Sequence, residues 1–144
     1  MHRDIKMGNL LIQSALGHGH TLCNIGIVLC DFGLAVQLPS AQHYAEGSAG
    51  TADFMAPEVV VHEKAYLESD MFSVGSTLFH CCTGRAPFEA DNAKEIYSRI
   101  KRHDYRWRSE EQKKLPAKTI SMVDSMLRYE PRDRSTMSAR APAS

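Results

Sequence analysis

Asp4, Lys6, Asn9 and Asp31 carry the groups in this chain that could do chemistry. Asp4 and Lys6 stand two residues apart, so in an extended loop their side chains point the same way. The carboxylate can accept an alcohol's proton and align it, while the ammonium can sit beside a phosphate. Asn9 offers a neutral hard oxygen and Asp31 a charged one, the ligand types that magnesium takes. Phosphoryl transfer asks for these things: an oriented hydroxyl, neutralised phosphate charge and a held metal ion. Taken singly each residue is ordinary, because a lone aspartate before a strand is most often a turn residue.

Three strings occur in order: Met1-His2-Arg3-Asp4-Ile5-Lys6-Met7-Gly8-Asn9, then Asp31-Phe32-Gly33, then Gly50-Thr51-Ala52-Asp53-Phe54-Met55-Ala56-Pro57-Glu58. Together they resemble the catalytic loop, metal-binding turn and activation-segment end of a protein kinase. The resemblance implies that Asp4, Lys6 and Thr51 are catalytic. It implies that Lys6, Asn9 and Asp31 bind ATP, with Asn9 and Asp31 holding Mg2+. The lysine at position 6 resembles serine/threonine kinases rather than tyrosine kinases. In such enzymes the counterpart of Thr51 hydrogen-bonds those of Asp4 and Lys6. Gly33 lets the backbone turn where a side chain would clash.

Other positions extend the resemblance. Glu58 matches a glutamate that pairs with a buried arginine near the domain end, and Arg134 in Pro131-Arg132-Asp133-Arg134-Ser135 matches that arginine. A buried carboxylate needs such a partner. Asp70 matches an aspartate that holds the catalytic-loop backbone; it could equally be an N-cap. Arg3 implies activation by a phosphate on the activation loop, with Ser40, Tyr44 and Ser48 as acceptors for a regulatory kinase. The position that often carries Ser or Thr is Gly47 here, with Glu46 beside it as a fixed charge, and Ala52 replaces a common proline. Cys30 lines the nucleotide pocket in related kinases, or is simply a buried thiol.

Several stretches are similar to polo-like kinases: Gly8 before Asn9, Gln42-His43-Tyr44, Leu67-Glu68-Ser69-Asp70, and Gly84-Arg85-Ala86-Pro87-Phe88 followed by Ala93-Lys94-Glu95-Ile96-Tyr97. Aurora-like and NIMA-related kinases share many of these residues.

The elements that must position these groups can be read from periodicity and turn residues. Leu10-Leu11-Ile12 and Ile25 to Cys30 read as two strands of a hairpin around a long polar loop, Ser14 to Asn24, about ten residues longer than kinases usually have there. Leu34 to Ala49 reads as an extended loop. A helix is expected from Ser69-Asp70, apolar nearly all round and therefore buried, stopped by Gly84 and Pro87. Asp91-Asn92 opens a second helix, with Ile96 and Ile100 inward and Lys94, Arg99 and Lys101 outward. Arg102 to Lys114 is polar. Pro116 starts a third helix through Ile120, Val123 and Leu127. Glu130 to Arg134 is a turn. The expected class is mainly α with a small β-hairpin: a partial kinase C-lobe over 1–135, followed by a short polar tail or the start of a last helix over 136–144.

The composition is that of an ordinary globular domain, 43% hydrophobic and 24% charged in 144 residues. Seventeen basic and seventeen acidic residues cancel. That balance gives no electrostatic reason to expect nucleic acid or an anionic membrane as a partner, and no apolar run approaches a bilayer span. Among four cysteines none forms a metal-type C-x-x-C pair; Cys81 and Cys82 read as buried small hydrophobes. His18-Gly19-His20 reads as a solvated turn. The compartment is expected to be reducing, hence cytoplasmic, nuclear or centrosomal. The expected partner is a protein with a Ser/Thr acceptor. The kinase glycine-rich loop, strand lysine, helix glutamate and hinge do not occur in this sequence. A helix absent from the face of the Ser69–Cys82 helix would leave a few hundred Å² of apolar surface open, on the order of 10 kcal/mol, about the stability of a domain. The isolated chain is therefore expected to be poorly folded and inactive. The alternative is a catalytically inactive kinase-lobe module that binds a substrate or another kinase.

Overall fold

The computed structural model describes residues 1–13 and 26–136. The expected Ser14–Asn24 loop, with His18, His20 and Cys23, and the tail from 137 onward lie outside the described residues. β1 (Leu10–Gln13) pairs antiparallel with β2 (Gly26–Leu29), in a register running from Leu10 opposite Leu29 to Gln13 opposite Gly26. The hairpin is therefore where the apolar runs put it. Leu11, Ile12, Ile27 and Val28 are exposed on it.

The stretch read as a loop before Gly50 holds one short strand. β3 (Ala45–Glu46) pairs antiparallel with β4 (Lys64–Ala65). Two residues are too few for alternation to register, and the partner strand is distant in sequence. Between them α1 (Pro57–His62) begins on a proline at its first turn, where the missing N–H has no intrahelical partner to lose. Six residues give no readable periodicity either.

α2 (Leu67–Thr83) starts two residues before the expected Ser69. Asp70 is therefore inside the helix rather than its N-cap. Ser69 closes the first turn instead, its Oγ accepting from the Tyr66 amide at 2.9 Å. Gly84 ends the helix at φ 75°. Phe72 and Phe79 are fully buried, whereas Val74 and Leu78 are only half-buried. Open apolar surface therefore lies on the hairpin more than on this helix. Cys81 is exposed and Cys82 half-buried, against the expectation of two buried thiols. Phe79 points the last turn at Trp107 and Tyr105, which leaves the Cys81 side uncovered.

α3 (Ala93–Arg102) is capped by Asn92, whose Oδ1 accepts from the Glu95 amide at 3.0 Å. α4 (Ser109–Lys114) is a helix within the stretch read only as polar. Its support comes from elsewhere in the fold: Glu111 accepts from the Arg108 amide and takes both arms of Arg85, at 3.0 and 2.9 Å. α5 (Ala117–Met126) follows Pro116 and packs on α2. A Cβ on Gly75 would come within 2.8 Å of Met126 Cβ, so the two helices reach this separation only because α2 carries no side chain there. Phe72, Phe79, Phe88, Ile100, Val123 and Leu127 form the fully buried centre. Among the described residues no helix is long and apolar enough to cross a membrane.

Candidate active site

The loop before β1 is fixed from below by α2. Asp70 Oδ2 accepts from the His2 amide at 2.6 Å and Oδ1 from the Arg3 amide at 2.9 Å. Arg3 is thereby held at φ 71°, a left-handed conformation that a side chain disfavours and that persists only where the surroundings impose it. His2 is the second tie. Its Nδ1 accepts from the Asp4 amide at 3.3 Å, so Nε2 carries the proton and donates to the Cys30 carbonyl at 3.0 Å. The imidazole is 4% exposed and meets the Phe32 ring edge-on. It thus joins the first motif to the second.

Four predicted residues converge through their side chains. Thr51 Oγ1 donates to Asp4 Oδ1 at 2.8 Å, and Lys6 Nζ donates to Thr51 Oγ1 at 2.8 Å. Lys6 Nζ also stands 3.0 Å from Asp4 Oδ2. Asn9 Nδ2 donates to the Asp4 carbonyl at 2.8 Å and to Asp4 Oδ2 at 3.2 Å. Burial pushes the Asp4 carboxyl up, but the bonds from Thr51 and Lys6, the lysine's charge and the Asn9 amide outweigh it and hold Asp4 below its ordinary value. Asp4 is therefore an ionised acceptor at neutral pH.

Asp31 is tied to this cluster through the backbone. The Cys30 amide donates to the Asn9 carbonyl at 2.9 Å, and Cys30 Sγ leans on the same oxygen at 3.3 Å. Cys30 is half-buried. Asp31 follows it at φ 62°, exposed, with Oδ1 accepting from the Gly33 amide at 3.2 Å. The left-handed residue of this turn is Asp31, not Gly33. Gly33 matters because a Cβ there would press on Asp31 Oδ1 at 3.2 Å.

Thr51 reaches Asp4 because Gly50 passes under the loop at φ 115°, where a Cβ would meet the Arg3 carbonyl at 2.5 Å. The segment is anchored further on by Glu58. Arg134 Nη1 and Nη2 each donate to a Glu58 oxygen at 2.7 Å, and Ser69 Oγ donates to Oε1. The other Arg134 donors go to the carbonyls of Arg128, Glu68 and Tyr129, so all five are used.

Asn9 and Asp31 suit a magnesium ion. Asn9 spends its amide N–H groups on Asp4 and leaves Oδ1 without a hydrogen-bond partner among the described residues. Asp31 likewise leaves Oδ2. Magnesium completes its shell with phosphate and water oxygens, so one amide and one carboxylate are an adequate protein contribution.

Over residues 1–141 the chain matches the protein kinase domain. It belongs to the protein kinase family. Relatives of this chain include the serine/threonine-protein kinase ATG1 of Debaryomyces hansenii, 32% identical over 93% of the chain and 16% of that protein. PLK4 of Drosophila virilis is 31% identical over 93% of the chain and 16% of that protein. PLK2 of Mus musculus is 32% identical over 95% of the chain and 18% of that protein. The chain therefore spans about a sixth of the length of these relatives. It resembles serine/threonine kinases of the polo-like group, with ATG1 kinases equally similar.

Ser40, Tyr44 and Ser48, in the stretch before Gly50, are exposed. Arg3 forms no ion pair among the described residues, and its Nε is buried without a partner. Glu46 does not supply that partner. His2 and Ser69 are the functional positions that sequence reasoning passed over. His2 had a signal, its place directly before Arg3-Asp4. Ser69 had none beyond its nearness to Asp70.

Proposed function

We propose that the chain contributes the larger, mostly helical lobe of a serine/threonine protein kinase, over residues 1–135. In this reading the γ-phosphate of ATP passes to a Ser or Thr hydroxyl of a protein. The observation that carries it is the bonded cluster of Asp4, Lys6, Thr51 and Asn9. Asp4 accepts the proton of the incoming hydroxyl through a carboxylate kept ionised by its neighbours. Thr51 fixes the rotation of that carboxylate. Lys6 spans from Asp4 toward the transferred phosphate and offsets its charge. Asn9 Oδ1 and Asp31 would hold Mg2+, which when bound neutralises phosphate oxygens. A phosphate on Ser40, Tyr44 or Ser48, added by a regulatory kinase, would meet the unpaired Arg3.

The experiment is transfer of radiolabel from [γ-32P]ATP to a general acceptor protein by the protein that carries this chain, followed by phosphoamino-acid analysis. Label on phosphoserine or phosphothreonine, lost in Asp4→Asn, supports the reading. Label on phosphotyrosine, or transfer that survives Asp4→Asn, opposes it.

A further inference from the structure

Arg134 does more than neutralise Glu58. Its Nη1 donates to the Glu68 carbonyl at 2.9 Å and its Nη2 to the Tyr129 carbonyl at 2.8 Å. One buried guanidinium thus fixes the start of α2 to the turn that follows α5, and a cavity of about 580 Å³ opens between them. That volume lies within the roughly 300–1,000 Å³ typical of ligand sites. Ala41 and Gln42 close another side. Tyr66 and Tyr129 line the cavity, and each ring is braced by one outside the lining: Tyr66 by Tyr44 at 5.6 Å, Tyr129 by His103 at 5.8 Å. Three carboxylates also line it. Glu58 spends both oxygens on Arg134. Glu68 and Glu130 form no ion pair among the described residues. With His62 neutral, Arg132 offsets one of these two charges, and the other has no counter-charge in the lining.

We propose that this cavity takes an arginine side chain from a segment of a protein partner. A guanidinium needs charged acceptors for its planar fork and aromatic rings to stack on, and two unpaired carboxylates beside two tyrosines offer both. A lysine ammonium would use the charge without the stacking. Solvated glutamates elsewhere, such as Glu110 on α4, have no comparable walls. Here the backbone of both walls is pinned by Arg134 and the rings are held from behind, so little ordering is left for the ligand to impose. The cavity has room beyond a single side chain. Gln42 gives its Oε1 to the Ser40 hydroxyl at 2.9 Å and keeps its Nε2 donors for a flanking backbone carbonyl. A segment of chain therefore fits better than free arginine. Gln42 lies between Ser40 and Tyr44, so a seated partner would hold that stretch against α2. The regulatory meaning of this contact rests on the proposed kinase function; the docking itself does not.

The test is saturation-transfer difference NMR on the protein that carries this chain. The probes are a serine-glycine peptide with a central arginine, the same peptide with citrulline in its place, and N-acetylarginine amide. The arginine peptide should bind, and citrulline, which keeps the shape and loses the charge, should bind about tenfold more weakly or worse. Glu68→Gln/Glu130→Gln should remove most of that difference. Tyr129→Leu should weaken the arginine peptide severalfold; its carbonyl still accepts from Arg134, so it serves as a second variant should the glutamine pair unfold. The control Asp91→Asn/Glu110→Gln makes the same change in net charge and should bind within about twofold of the parent. Thermal melts followed by circular dichroism check that each variant is folded. Equal binding of the arginine and citrulline peptides overturns the proposal, as does a glutamine pair that binds like the parent or a control that weakens equally. N-acetylarginine amide binding as tightly as the peptide overturns it in favour of a small-cation site. Asp4→Asn should bind the peptide as the parent does, which separates failure of docking from failure of the kinase reading.

Discussion

Thr51 Oγ1 lies 2.8 Å from Asp4 Oδ1 and receives a bond of equal length from Lys6 Nζ, so one hydroxyl orients both charged groups of the candidate site. The contact joins parts of the chain 47 residues apart. It depends on Gly50, which lets the activation segment pass beneath the Arg3 carbonyl.

Thr51→Val keeps the shape and removes the hydroxyl. With Asp4 free to rotate, kcat should fall by roughly 10- to 100-fold, the scale of a misplaced catalytic group, while KM for ATP changes little. Thr51→Ser should recover most of the rate. Steady-state kinetics of the three proteins check this, and equal kcat for the valine and serine forms would count against the positioning role.

The Glu58–Arg134 pair is enclosed, with side chains 6% and 0% exposed. Removing one partner leaves a buried charge with nothing to balance it, at a cost of about 3–5 kcal/mol. Glu58→Gln or Arg134→Met should therefore lower the urea midpoint sharply. The joint change Glu58→Gln/Arg134→Met should cost less than the sum of the two. Additive losses in the double-mutant cycle would mean that the pair is not coupled.

Asp4 sets a pH prediction. Its carboxyl is held below its ordinary value of 3.8, so its folded form binds the proton less readily than the unfolded chain does. The stability it contributes is present above pH 3.8 and is lost as pH falls through the lower folded value. Lys6→Met removes a bond and a positive charge but leaves the burial, so the Asp4 pKa should rise. Carbon-13 titration of the Asp4 carboxyl reads the shift; an unchanged or lower value contradicts the electrostatic account.

Much of this site was legible because its chemistry is written in short strings. Asp4, Lys6 and Asn9 lie within six consecutive positions, and Asp31 opens a recognisable turn. The start of α3 followed from Asn92 and its buried face from the Ile96–Ile100 spacing, and the end of α2 from Gly84. What could not be read depends on distant partners. α4 is a helix inside a polar run, with Glu111 braced by Arg85. β3 exists only as the mate of β4. Cys81 follows an apolar pattern yet faces solvent, because pattern reports that a helix is buried without reporting how far the core extends along it. The left-handed backbone of Arg3 and Asp31 is imposed by Asp70 and by the turn, and no residue type at either position announces it.

The most direct test separates metal-nucleotide binding from chemistry in one set of variants. Isothermal titration of ATP, with and without Mg2+, would be run on the protein that carries this chain and on its Asn9→Ala, Asp31→Ala and Asp4→Asn forms, with phosphate transfer measured in parallel. The account predicts that Asn9→Ala and Asp31→Ala lose the magnesium-dependent part of ATP binding. It predicts that Asp4→Asn binds MgATP like the parent yet transfers phosphate about 100-fold more slowly or worse. Magnesium-dependent binding that is intact in Asp31→Ala, or undiminished transfer by Asp4→Asn, would contradict it.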